Sequence, residues 1–205
     1  MDKKLLNQQS QHWEKSFSSK PEMFGSEPSH SAKIALENFK KNNIKHIIEL
    51  GAGLGRDTIY FAKNSIKVTA LDCSPTAIKI IKDKSSNLGL SDFINVQTHD
   101  LRQKLNFNDN SFEGCYSHML YCMAFTYSEL ENLNNEICRV LKKDSLNIYT
   151  ARNYRDADYK KGIYHGEDLY EMNGYIVHYF SDEKIKKLLT GFKNLSINHF
   201  DEGSF

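Results

Sequence analysis

Glycines recur at every second position after an apolar run in the stretch IIELGAGLGRD, Ile47 to Asp57. The acid Glu49 stands two residues before Gly51, and Gly53 and Gly55 complete a G-x-G-x-G pattern. A buried strand that ends this way turns sharply into a helix and brings its backbone against a ligand. A dinucleotide would bring a pyrophosphate, which is drawn to helix N-terminal amides and positive potential. The dinucleotide spacing is G-x-G-x-x-G, and here the third glycine comes early. Glu49 would oppose a pyrophosphate's charge and suits a ligand with an ammonium group. Asp72 lies 21 residues after Gly51, where a carboxylate can accept hydrogen bonds from both ribose hydroxyls. That geometry serves any adenosine-containing cofactor.

Short apolar runs spaced by helical patterns supply the scaffold. HIIEL (46–50), IKVTALD (66–72), FINVQTH (93–99), FEGCYSH (112–118) and SLNIYTA (145–151) read as five strands, and LSINHF (195–200) as a sixth. Ala32, Ala35, Leu36 and Phe39 give the i, i+3, i+4, i+7 pattern of a helix near 30–41. Ser74 and Pro75 fit the cap and first position of the next helix, with Ala77, Ile80 and Ile81 on its buried face. Ser128 and Glu131 form a capping-box pattern ahead of Leu130, Leu133, Ile137, Val140 and Leu141. A last helix carries Ile185, Leu188, Leu189 and Phe192. The alternation predicts an α/β fold: a Rossmann-like, doubly wound, mostly parallel sheet with helices on both faces. Residues 152–180, rich in Tyr, Asp, Lys, His and Gly, show no clear long element. This insertion starts at the carboxyl edge of the fifth strand, where such folds bind ligands.

At 205 residues the chain fits a single domain spanning 1–205. A formal net charge of +1 calls for neither nucleic acid nor a membrane surface. The N-terminus lacks the apolar stretch of a signal peptide, and no run has the length of a membrane span. Cys73, Cys115, Cys122 and Cys138 form no C-x-x-C pair, so reduced thiols, a cytoplasmic location and no metal site are expected.

ELGAGLG resembles motif I of the class I S-adenosylmethionine-dependent methyltransferases, and LDCSPTAI resembles their second motif. THDL (98–101) and NSFEGCYSHML (110–120) resemble the next two, and the likeness runs from about Trp13 to about Phe200. GSEPSHSA and GRDTIYFA look most like the small-molecule group that contains the tellurite-resistance and thiopurine-type enzymes. The resemblance implies S-adenosyl-L-methionine as cofactor and S-adenosyl-L-homocysteine as product. It implies close approach of the cofactor to Gly51, Ala52 and Gly53, with Glu49 serving the ammonium and Asp72 the ribose. Cys73 would lie beside the adenine, Asp100 at its amino group and Leu101 at its ring face. Ser117 and His118 would lie near the sulfonium. Residues 1–29, with Trp13 and Phe24, would form a lid. Each role has a structural alternative: Glu49 pairing with Arg56, Asp72 capping the Ser74 helix, Asp100 in a solvated loop, Trp13 as a core anchor.

Family members usually finish with a seventh, antiparallel strand, and here the chain stops five residues after LSINHF. A shortened sheet, or an edge open to a partner chain, is therefore expected, with a monomer or homodimer as the assembly.

Methyl transfer from a sulfonium is an in-line displacement with a neutral leaving group, so positioning in a water-poor site supplies much of the rate. A general base is needed only for an acceptor that must lose a proton. His118, Tyr121 and Arg152 are the catalytic candidates on the acceptor side. Cys122, Asn153, Tyr164, His165, Tyr175 and His178 are candidate pocket residues. The acceptor classes left open are thiols, metalloid oxyanions, amines and phenols. No Tyr has Lys four residues later, which disfavours a short-chain reductase, and no Asn/Asp-Pro-Pro-aromatic turn follows the fourth strand. A non-catalytic S-adenosylmethionine sensor is the alternative.

Overall fold

The computed structural model describes residues 3–201. Its centre is a parallel sheet of β1 (His46–Leu50), β2 (Lys67–Asp72), β3 (Ile94–Thr98), β4 (Phe112–Ser117) and β5 (Leu141–Tyr149), in the order β3-β2-β1-β4-β5. The chain moves outward from β1 through β2 and β3, then returns to lay β4 on the other side of β1. This reversal opens a crevice at the carboxyl ends of β1 and β4, the position at which such sheets take ligands. The order and the parallel pairing match the doubly wound expectation.

Side-chain alternation along β1 divides the core into two faces. Ile48 and Leu50 pack with Phe112, Cys115 and residues Leu130, Leu133 and Ile137. Ile47 packs with Ala35, Phe39, Phe61, Val68 and Tyr116. The helices α2 (His30–Lys41), α3 (Arg56–Lys63), α4 (Pro75–Asn87) and α5 (Tyr127–Val140) supply these partners, after an N-terminal α1 (Lys3–Ser19). Ser29 caps α2 through Ala32 N, and Ser74 caps α4 through Ala77 N with Pro75 at the first position. Such caps contribute about 1 kcal/mol each.

Gly55 is the N-cap of α3, at φ +80°. A Cβ there would sit 2.6 Å from Ile81 Cγ1, so this glycine serves helix packing. Gly55→Ala is expected to cost about 2–4 kcal/mol, the sum of a left-handed alanine and overpacking. A thermal melt reads this directly, and an unchanged midpoint would refute the packing role.

Four expectations are corrected. The capping box of α5 is Thr126 with Glu129: Thr126 Oγ1 accepts from Glu129 N, and Glu129 Oε2 accepts from Thr126 N. Ser128 and Glu131 instead lie inside the helix, and Leu141 already opens β5. That strand begins before the expected Ser145. It pairs Phe112 with Leu141, then shifts register so that Gly114 meets Leu146, with Asp144 in the left-handed region between. LSINHF forms no strand: residues 192–201 are irregular and Leu195 is 73% exposed. Of the expected last helix only α6 (Asp182–Lys187) is helical, with Leu188 buried just beyond it. Among the described residues β5 is therefore a sheet edge.

The insertion 152–180 is more ordered than its composition suggests. It holds an antiparallel sheet of β6 (Ile163–Tyr164), β7 (Leu169–Met172) and β8 (Tyr175–His178). Asn173 and Gly174, both at positive φ, make the two-residue turn between β7 and β8, the hairpin use of Asn-Gly. No helix of the described residues is long and apolar enough to cross a membrane.

Candidate cofactor and acceptor site

The turn after β1 is tied to β2. Gly51 N and Ala52 N both donate to Leu71 O, at 2.9 and 3.0 Å. Gly53 adopts φ +53° and donates its N–H to Asp72 Oδ2 at 2.8 Å, while Ser74 N donates to Asp72 Oδ1 at 2.9 Å. Asp72 thus holds the glycine turn and the start of α4 together. Burial raises its pKa, opposed by these backbone donors. A carboxylate has about four lone-pair sites, so two donors leave room for ligand hydroxyls.

Glu49 is buried on the α3 side of β1 and accepts from Thr58 Oγ1 at 2.6 Å. Burial, reinforced by the nearby Asp57 carboxylate, pushes its pKa up to about 8 against the Thr58 hydrogen bond. Arg56 lies on Asp57 at 3.2 Å, so the sequence alternative of a Glu49–Arg56 pair is not the arrangement seen.

At the end of β3, Asp100 takes both Arg102 Nε and Nη2, at 2.9 and 2.8 Å. Burial works to raise the Asp100 pKa, and the Arg102 bonds outweigh it. Leu101 is buried with Leu71 and Leu105, and Cys73 is exposed. Two buried polar atoms at the carboxyl ends of the strands have no hydrogen-bond partner among the described residues: Ser117 Oγ at the tip of β4 and His99 Nε2 next to Asp100. Buried orphans of this kind are uncommon and mark a place for a ligand or water.

The N-terminal segment lies over this edge. Phe17 and Phe24 come within 3.8 Å of where a Gly53 Cβ would be, and Leu120 lies closer still to Gly51. Trp13 packs on Phe17 and on Tyr175 of β8, with centroids 5.5 and 4.9 Å apart. Glu14 takes the hydroxyls of Ser74 and Thr76 at the start of α4. Gln9 bonds both Gly174 O and Ile176 N, so α1 joins the insertion to the glycine turn.

The acceptor-side candidates fall into different places. Tyr121 is fully buried, stacks on Tyr149 at 3.9 Å and gives its hydroxyl to Asn134. Cys122 and His178 are also interior, and His178 Nδ1 meets Phe125 O at 2.9 Å. Arg152 is half-exposed and pairs with Asp156 at 3.4 Å and Asp158 at 3.8 Å. Tyr164 is exposed on β6, His165 pairs with Glu171, and Tyr175 holds Ser16 of α1 at 2.7 Å. Asn153 makes a bridge to Phe180.

His118, one residue past β4, is the candidate with the richest surroundings. Its Nδ1 lies 2.9 Å from Ser31 Oγ and 3.0 Å from Thr150 Oγ1. Behind Ser31 is a buried polar cluster that sequence reasoning passed over: Ser29, Asp57 and Tyr116. The available signal was polar residues at core-facing positions, such as Tyr116 within β4 and Asp57 in the first turn of α3.

Residues 47–144 match the model of a methyltransferase domain. A sterol 4-C-methyltransferase of Caenorhabditis elegans is 30% identical over 97 residues, which are 47% of this chain and 28% of that protein. The chain thus spans little more than a quarter of the length of this curated relative. Phosphoethanolamine N-methyltransferase 1 of Haemonchus contortus, solved with phosphoethanolamine and S-adenosylhomocysteine, superposes with a TM-score of 0.66 at 17% identity. That likeness covers 92% of this chain and 41% of the other. An S-adenosylmethionine-dependent methyltransferase of Clostridium acetobutylicum superposes with a TM-score of 0.64 at 15% identity, covering 78% of each chain. The glycine turn, Asp72, Asp100 and His118 all lie inside the span that matches a methyltransferase domain, and the sheet that carries them has the Rossmann-like fold seen in the methyltransferase structures.

Proposed function

We propose that this chain is a single-domain methyltransferase, spanning 1–205, that passes a methyl group from S-adenosylmethionine to a small-molecule acceptor. Residues 1–29 form a lid and residues 152–180 the acceptor-side insertion. The observation that carries this reading is Asp72, which clamps Gly53 at the carboxyl ends of β1 and β2, within a span that matches a methyltransferase domain.

The residues present fit the cofactor. Gly51, Ala52 and Gly53 give a backbone surface without bulky side chains. Asp72 has lone pairs for ribose hydroxyls, and Glu49 is an acid for an ammonium group. Asp100, Leu101 and Cys73 border the place for an adenine, and the orphan Ser117 Oγ waits at the tip of β4. Trp13 belongs to the cover through α1. When bound, the cofactor supplies an electrophilic methyl on a sulfonium.

The acceptor side is less specific. His118 follows β4 and Arg152 follows β5, both at the carboxyl edge of the sheet, and Tyr121 is buried against Asn134 and Tyr149. GSEPSHSA and GRDTIYFA support the finer reading of an enzyme of the tellurite-resistance or thiopurine type, to which a cytoplasmic location and a monomeric or homodimeric assembly are added as part of the proposal. Incubation with methyl-labelled cofactor and a panel of thiols, selenite or tellurite, arsenite, amines and phenols tests it. Label in one acceptor class supports the reading. Calorimetric binding without transfer favours the sensor instead, a reading that gains weight from Arg152 and Tyr121 being engaged within the protein.

A further inference from the structure

We propose that α1 is a two-sided strap: one face closes on the cofactor turn and the other holds the β7–β8 hairpin, so that occupation of the cofactor site sets the order of the insertion. The inference rests on the methyl-transfer reading and extends the lid from the cofactor to the acceptor side.

Gln9, His12, Trp13 and Ser16 stand at i, i+3, i+4 and i+7 along α1 and share one face. All four meet the hairpin. Gln9 Nε2 donates to Gly174 O at 2.9 Å, and Ile176 N donates to Gln9 Oε1 at 3.1 Å. One side-chain amide thus pairs two backbone groups on the open edge of the hairpin. A Cβ on Gly174 would sit 2.9 Å from His12 Cε1, so helix and turn are in close contact. The rings of His12 and Trp13 lie on Tyr175, with centroids 4.2 and 4.9 Å away, and Ser16 Oγ is 2.7 Å from the Tyr175 hydroxyl. Glu14, Phe17 and Ser18 make the neighbouring face, at i, i+3 and i+4. Glu14 accepts from the hydroxyls of Ser74 and Thr76 and from Thr76 N at 3.3 Å. A carboxylate there also complements the N-terminal end of the α4 dipole. Ser18 Oγ lies 3.2 Å from Thr76 Oγ1, and Phe17 packs with Leu54 and Ala77 beside Gly53. Ser74 is the residue whose N–H holds Asp72, so this face ends at the cofactor clamp.

Two features make α1 a moving part. Phe17, Leu54 and Ala77 form a cluster of their own, apart from the two that pack the sheet, so α1 can swing away without opening the main core. Both faces belong to one helix of 17 residues, so they move together. Phe17 reaches the Gly53 turn only when α1 is closed. A cofactor on that turn gains this contact in the closed state alone and shifts the population toward it. The same movement brings Gln9, His12, Trp13 and Ser16 onto the hairpin. The coupling is reciprocal: an acceptor that orders the hairpin tightens cofactor binding by the same factor.

Hydrogen–deuterium exchange of the full chain, read on peptides by mass spectrometry with and without S-adenosylhomocysteine, tests the coupling. Saturating S-adenosylhomocysteine should slow the β8 amides by about fivefold or more, although no cofactor role falls on β8. Slowing at 51–53 with unchanged exchange in β8 overturns the proposal. The triple variant Gln9→Ala, His12→Ala and Ser16→Ala cuts the joint while leaving the hairpin's own sequence intact. In it the ligand should still slow 51–53 and no longer slow β8; a β8 still slowed to the wild-type extent also overturns the proposal. Glu14→Ala gives an arm without ligand. It releases only the face turned away from the hairpin, yet should speed β8 exchange by about fivefold or more, and a wild-type rate there overturns the strap. If a variant fails to fold, the wild-type comparison decides alone. Failure to bind S-adenosylhomocysteine would sink the methyl-transfer reading and leave Glu14→Ala to judge the strap.

Discussion

Asp72→Asn is expected to weaken S-adenosylhomocysteine binding about 100-fold, measured by calorimetry. The carboxylate does two jobs at once. On the proposed reading it offers lone pairs to the ligand's ribose, and it holds Gly53 and Ser74 by their backbone N–H groups. Hydrogen bonds to a charged group contribute about 1.5–3 kcal/mol each, and about 3 kcal/mol corresponds to roughly 100-fold in affinity. Asparagine keeps the shape and one acceptor oxygen, but turns an amide toward one of the former donors. Thermal stability should fall as well, since a buried N–H loses its partner. The two effects separate in the data: a variant that melts earlier but binds with wild-type affinity would show that Asp72 only clamps the turn. A longer side chain does not help, because Asp72 is wedged between two backbone donors, and Asp72→Glu should bind no better.

The second large effect comes from Glu49. With its pKa pushed up to about 8 by burial, Glu49 is mostly protonated at pH 7 in the free protein. A bound ammonium beside it favours the ionised form. Cofactor binding at pH 7 should therefore release about one proton. Calorimetry in buffers of different ionisation enthalpy measures that number. Glu49→Gln should release none, and its affinity deficit relative to wild type should grow from pH 6 to pH 8, as the wild-type carboxyl ionises more readily. Binding by the wild type without proton release would remove Glu49 from the ammonium role. Stability gives an independent check. The folded protein holds this proton at pH values where the unfolded chain, titrating near 4.5, has lost it. The stabilisation is full below that lower value and is lost as pH rises through about 8. The free wild type should thus melt earlier as pH rises from 5 to 8, and Glu49→Gln should flatten that slope.

The parallel sheet was readable because each strand is short, apolar and punctuated. HIIEL and IKVTALD are buried on both faces and bounded by turns, and the cap Ser74 occupies its expected place. What the pattern could not settle is where neighbouring signals compete. Thr126 and Ser128 stand two residues apart at the start of α5, and the reciprocal bond from Glu129 decides for Thr126 as the cap. LSINHF alternates like a strand, yet nothing among the described residues pairs with it. The insertion was missed for a different reason. Its strands have two to four residues, too short for periodicity, but Asn173-Gly174 between LYEM and YIVH was a local hairpin signal that outweighs composition.

For the site, the contact between Gly53 and Asp72 follows from spacing, because the turn after β1 lies beside the end of β2. Tyr121 and His178 were not separable from surface candidates, since burial is a tertiary property: one lies against Asn134 and Tyr149, the other under Phe125. The cluster of Ser29, Ser31, Asp57 and Tyr116 was invisible for the same reason. Its members are up to 87 positions apart and meet only because α2 begins where β4 ends.

The central claim is that the turn after β1 takes an ammonium-bearing nucleoside and not a pyrophosphate. Titrating the full chain side by side with S-adenosylhomocysteine and with nicotinamide adenine dinucleotide tests it most directly. The account predicts saturable one-to-one binding of S-adenosylhomocysteine and none of the dinucleotide. Dinucleotide binding tighter than that of S-adenosylhomocysteine would contradict it.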